Sequence, residues 1–197
     1  MITIPKRMRH LPRDRRGYPI PKSVLIDRNG RPHFTINDDV VRLKQLVEKR
    51  CPICGAKLTG KQWFVGGPQS AFNEHGAYID LPMHYECAHY ALQACPYLAA
   101  PNYSGRINAA TLSDDDDTMR VLLDQTMIPD RPPLFVAVQC RTHQITLNGY
   151  LQPMRPYLRV EYWQHGKRLD DAEGEAQTKD YMTVPLPARQ PMRIIVR

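Results

Sequence analysis

Cys51-Pro52-Ile53-Cys54-Gly55, answered thirty residues later by His84-Tyr85-Glu86-Cys87, is the stretch that decides the fold. Two cysteines separated by two residues and followed by glycine form a turn whose backbone N–H groups can point at sulfur. His84 and Cys87 are three apart and share one face of a helix. Together they supply three sulfurs and one imidazole nitrogen, the donor set of a closed tetrahedral zinc site. Four protein ligands leave no open position for water, so the spacing predicts structural rather than catalytic zinc (Zn2+). Metal binding then contributes directly to folding of the middle of the chain.

Helical spacing extends this centre. His84, Cys87, Ala88, Ala91, Leu92 and Cys95 fall on one stripe, and Pro96 ends the pattern. A helix N-terminus at the ligands favours thiolate at Cys87. Cys95 lies about 12 Å further along such a helix, too far to share the ion. It and Cys140, in an apolar strand, are expected to be core thiols. His75 is the alternative fourth ligand should His84 not serve. A thioredoxin-like dithiol is a weaker reading, because there the CxxC opens a helix after a strand. Here it follows a predicted helix.

The chain has 197 residues, five cysteines and a net charge of +7. Length and composition suit one sizeable soluble core, with room for a small appended unit, in a reducing cytoplasm. No apolar run reaches membrane-helix length, so no membrane partner is expected. The charge is uneven. Residues 1–31 hold nine basic and two acidic side chains, a net +7 that equals that of the whole chain. Phosphates are the natural partners of such a segment; a solvated arm packed by its prolines is the competing reading.

Proline at 5, 12, 19, 21 and 32 makes residues 1–36 read as an extended basic arm. Within it, strands are expected at 23–26 and 32–36 around an Asn29-Gly30 turn. Residues 37–100 read as the zinc-binding core, residues 101–131 as a connecting segment and residues 132–197 as a β-rich C-terminal part, forming one compact unit with the core. A helix capped by Asn37 or Asp38 should place Val40, Leu43, Leu46 and Val47 on one apolar face. Strand composition marks 62–65, 134–140, 144–147, 157–163 and 192–196, with a turn at 164–167 and a short helix within 170–180. The acidic run 114–117 reads as the first turn of a helix over 118–127 or as a solvated loop. The fold class is therefore α+β, with a treble-clef-like zinc core between a basic arm and a β-rich part.

No nucleophile elbow, phosphate-binding loop or HExxH is present. Asn73-Glu74-His75, between the two ligand pairs, is the one set that suggests an HNH-like nuclease, and its interval to His84 is short for that arrangement.

The residues also carry a resemblance. Leu11-Pro12, Asp14, Arg16-Gly17-Tyr18-Pro19 and Pro21 open a pattern continued by Cys51-x-x-Cys54-Gly55, Phe64-Val65, Gly67-Pro68 and His84-x-x-Cys87-Ala88. Tyr90 and Ala94-Cys95-Pro96-Tyr97-Leu98 complete it, with a weaker echo at Val160-Glu161-Tyr162-Trp163 and Gly166-Lys167-Arg168. In these the chain resembles an uncharacterised family of small proteins of actinobacteria and their phages. The resemblance covers most of residues 11–101. It implies a bacterial cytoplasm and a phage or mobile-element origin, and it transfers no activity. Relatives often carry Met-Cys where this chain has Gln69-Ser70, which favours the four ligands named above.

Three functions follow as expectations. The first is a non-enzymatic protein that binds nucleic acid (DNA or RNA) through Arg7, Arg9, Arg13, Arg15 and Arg16. The second is an effector that binds and inhibits a host protein complex of defence or transcription. The third is the HNH-like nuclease.

Overall fold

The computed structural model describes residues 2–100, 131–147 and 149–183. The connecting segment but for residue 131, its acidic run and helix, and the strand expected at 192–196 lie outside the described residues.

An apolar run with no polar alternation belongs in the middle of a sheet covered on both faces. Strand β4 (Phe135–Cys140) is such a run, and every residue in it is buried. It pairs antiparallel on one side with β3 (Gln62–Gly66) and on the other with β7 (Arg159–Gln164), which continues into the short β8 (Lys167–Arg168). A two-residue turn joins β7 to β8. His165 and Gly166 both have positive φ there, 49° and 75°, as a tight hairpin of this kind requires. The sheet thus joins a strand of the cysteine-bearing region to three strands of the C-terminal part.

Period-two alternation sorts the side chains between two layers. Trp63, Phe135, Ala137 and Trp163 face the layer that contains α3 (Tyr85–Ala94) and Cys51, Cys54 and Cys87. Phe64, Val136, Val138 and Tyr162 face the opposite layer. There lie α2 (Pro68–Phe72), started by proline in its first turn, and α5 (Asp171–Thr183). Each of these large side chains removed from water stabilises the fold by about 1.5–3 kcal/mol. A second hairpin, β5 (His143–Ile145) with β6 (Leu151–Pro153), joins the lower layer through a Tyr78–Leu151 bridge. Pro96 ends α3 and opens the short helix α4 (Pro96–Ala99).

The N-terminal segment is docked rather than extended into solvent. A 3-10 turn at Lys6–Met8 contacts α3, and Met8 and Leu11 belong to the same buried cluster as Cys51, Cys54 and Cys87. Strand β1 (Val24–Ile26) pairs with β2 (Pro32–Asn37) around the Asn29-Gly30 turn. The Asp27 carboxylate closes that turn by accepting from the N–H groups of Asn29 and Arg31. The basic arm of the sequence reading is therefore a folded strap, because its apolar residues find a core to enter.

Helix α1 (Asp39–Val47) starts where expected, with the Asp38 carboxylate accepting from Val41 N–H. Its expected inward face is reversed. Val40, Leu43 and Val47 are 79%, 60% and 74% exposed, while Gln45 is buried and only Leu46 packs on the core. Anchors outside the helix explain this. The Arg42 guanidinium donates to the carbonyl of Ile79, and Arg50 N–H returns to the Gln45 carbonyl with Lys49 in left-handed backbone, φ 53°. Those two ties turn positions 42, 45 and 46 inward.

Candidate metal centre

Residues 49–58 form a tight hairpin whose tip is the CPICG turn. Arg50 and Lys57 bridge antiparallel, Leu58 N–H reaches the Lys49 carbonyl, and Gly55 takes φ 74° so that its N–H meets the Cys51 carbonyl. The Cys54 N–H points at the Cys51 sulfur and the Ala56 N–H at the Cys54 sulfur. These are the N–H···S contacts anticipated for the turn. The strap clamps the hairpin from outside through Lys22 N–H to the Ile53 carbonyl and Ser23 N–H to the Pro52 carbonyl.

The second ligand pair is set by β3. Met83 pairs with Trp63 through two backbone hydrogen bonds of 2.9 and 3.1 Å. This fixes the chain immediately before His84, the N-cap of α3. One turn in, Cys87 projects from the same end of the helix.

Cys51, Cys54, His84 and Cys87 converge, with all four ligand atoms within 4.8 Å of one another. All three cysteines are buried and unpaired as thiols. His84 Nδ1 is 3.4 Å from the Cys54 sulfur. A tetrahedral ion with bonds of about 2.05 Å to nitrogen and 2.3 Å to sulfur sets those atoms about 3.5 Å apart, so the spacing fits. The other ring nitrogen, Nε2, donates to the Lys57 carbonyl at 3.2 Å. This leaves Nδ1 deprotonated toward the sulfurs, the outer contact expected of a metal-ligating histidine.

The protonation pattern fits a site made for a cation. The three sulfurs hydrogen-bond one another and so compete for protons. Hydrogen bonds from the Cys51 and Cys87 thiols hold Cys54 far below the ordinary thiol range. Donating to Cys54 pushes Cys51 up to about 11. Hydrogen bonds to Cys51 and Cys54 also push Cys87 up. A bound dication removes that competition.

The remaining candidates separate clearly. Cys95 stands outside the cluster, and Cys140 is buried in β4, its thiol raised to about 11 by burial. His75 is exposed in the loop after α2, where its N–H is held by the Asn73 side chain, and it joins no ligand cluster among the described residues. Arg7 pairs with Glu86 at 3.4 Å and Arg16 with Asp14 at 2.8 Å. Arg9, Arg13 and Arg15 are exposed and make no ion pair among the described residues.

Sequence reasoning missed a network centred on Glu161, which is 1% exposed. Its carboxylate accepts from Arg159 (3.0 Å), Tyr85 Oη (3.3 Å) and Trp163 Nε1 (3.3 Å). Behind Tyr85 stand His89 and Gln93, linked in turn at 3.2 and 3.3 Å. The i, i+4, i+8 spacing of Tyr85, His89 and Gln93 marks one helix face, and that periodicity was the available signal. The network docks α3, which bears His84 at its N-cap and Cys87, on β7.

Neither a protein-family model, nor a curated protein, nor a solved structure matches the chain. Among the described residues, no helix is long and apolar enough to cross a membrane.

Proposed function

We propose that this is a non-enzymatic nucleic-acid-binding protein built around a structural zinc ion. Cys51, Cys54, His84 and Cys87 hold the ion in a treble-clef-like arrangement, a cysteine turn giving one pair and a helix N-terminus the other. Zinc is the metal best suited to three thiolates and one imidazole with no vacant position. Its task is to fix the hairpin and α3 as a rigid base for the strap. The observation that carries the functional reading is that Arg9, Arg13 and Arg15 stay exposed and make no ion pair among the described residues, while the neighbouring Met8 and Leu11 are buried in the core. Charges held in fixed places lose little entropy on meeting phosphates. The resemblance to small actinobacterial and phage proteins fits a bacterial cytoplasm as the setting.

The test is the salt dependence of binding to labelled oligonucleotides. Replacing Arg9, Arg13 and Arg15 by Gln should weaken binding and reduce the slope of log K against log salt by about 2 to 3 units. Wild-type protein that binds neither DNA nor RNA would refute the reading.

A second reading, an effector that binds a host protein complex, has one observation in its favour: the outward stripe Val40, Leu43 and Val47 on α1. Capture of one stoichiometric protein from host lysate, insensitive to nuclease and lost in Leu43→Lys, supports it. Capture unaffected by that substitution counts against it.

A further inference from the structure

The strap brings the Phe34 ring to Arg16 and Tyr18, at least sixteen residues before it in sequence. Tyr18 comes from a loop closed by the Arg13–Pro19 bridge, and Phe34 from β2. The Arg16 guanidinium carbon lies 5.2 Å from the Tyr18 ring centre and 5.6 Å from that of Phe34. Both rings remain more than a third exposed, at 37% and 38%. The group is rigid. One carboxylate, Asp14, accepts from Arg16 N–H (2.9 Å), Tyr18 N–H (2.9 Å) and Arg16 Nε (2.8 Å). Gly17, at φ 86°, allows the chain to reverse between them. Arg13 and Arg15, exposed, belong to the same loop.

We infer that Tyr18, Arg16 and Phe34 form a stacking platform for the bases of single-stranded nucleic acid. The inference rests on the nucleic-acid reading above and narrows it to a class of ligand. Two rings more than a third exposed, with the Arg16 guanidinium over them and the exposed Arg13 and Arg15 in the same loop, match the two needs of a single strand: π-surface for bases and cations for the backbone. A duplex keeps its bases stacked inside, so exposed rings offer it nothing beyond phosphate contacts. Because Asp14 has already ordered the loop, little rearrangement opposes binding.

The experiment uses the full chain and fluorescent strands of about 15 nucleotides, a size suited to one small binding surface. Oligo-dT and oligo-rU separate DNA from RNA, and a duplex of equal length serves as comparison. Tyr18→Leu and Phe34→Leu keep apolar contacts and remove the π-face. Each should weaken single-strand binding about 5- to 100-fold, with the salt slope and duplex binding unchanged. Tyr18→Trp, which enlarges the face, should retain or tighten binding, and it keeps the question decidable should a leucine variant misfold. Near-UV circular dichroism reports folding of each variant. Equal affinity of wild type for duplex and single strand, or leucine variants that bind like wild type, overturns the platform and leaves the arginine reading standing. No binding to any nucleic acid removes both.

Discussion

His84 Nε2 donates to the Lys57 carbonyl while its Nδ1 faces the Cys54 sulfur at 3.4 Å. The hairpin that carries the first ligand pair thus orients a ligand of the second. In protein loaded with cadmium-113, scalar coupling to the metal should appear at Nδ1 of His84, with Nε2 protonated. Coupling at Nε2 would contradict this arrangement.

Glu161 is the buried counter-charge between α3 and β7. Glu161→Ala leaves Trp163 Nε1 and the Arg159 guanidinium without their acceptor. Removing one partner of a buried charged pair costs several kcal/mol, and the half-exposed arginines set the loss near the lower end, about 3 kcal/mol in urea unfolding. Glu161→Gln, which keeps an acceptor for Trp163, should lose less. Equal stability of all three proteins would show that the network docks nothing.

A glycine inside a helix usually gains about 1 kcal/mol on replacement by alanine. Gly174 in α5 should do the opposite. A Cβ there would lie 2.1 Å from Tyr162 Cγ and 2.4 Å from its Cβ, too close to the backbone for the ring to swing aside. Gly174→Ala should cost about 1–3 kcal/mol as α5 lifts from the sheet. A raised unfolding midpoint would contradict that packing.

His143 gives a pH dependence of definite sign. Burial, and secondarily the charge of Lys49, hold its pKa below the ordinary histidine value. Its ring donates to Gln62 Oε1 at 2.8 Å and lies edge-on to Phe64. The unfolded chain therefore takes up the proton first. The contribution of His143 is full above its unfolded pKa of about 6.5 and is lost as pH falls toward and through the folded value. Urea midpoints of metal-loaded wild type should drop between about pH 7 and pH 5 more steeply than those of His143→Gln. Parallel curves would remove the effect.

The convergence of Cys51, Cys54, His84 and Cys87 was legible because their chemistry is local: spacing alone puts each pair on one turn. The central strand was legible for a related reason, since 134–138 is an unbroken apolar run that supplies both faces. Helix α1 was not. Its periodicity marks a face correctly, but Arg42, tied to the Ile79 carbonyl, and Arg50, whose N–H returns to the Gln45 carbonyl, decide which way that face looks. The arm was misread as extended because proline spacing reports backbone preference and not what Met8 and Leu11 can be buried against. The Tyr18–Arg16–Phe34 group depends on a hairpin that folds back over the strap, and no linear pattern of aromatic and basic residues announces it.

Metal content tests the central claim most directly. Protein purified without chelator should carry one zinc per chain, as measured by mass spectrometry of the metal. Stripping it should collapse the near-UV signal of Trp63 and Trp163 together with oligonucleotide binding. Protein that carries no zinc, or that keeps its near-UV signal and binding after the ion is removed, would contradict the account.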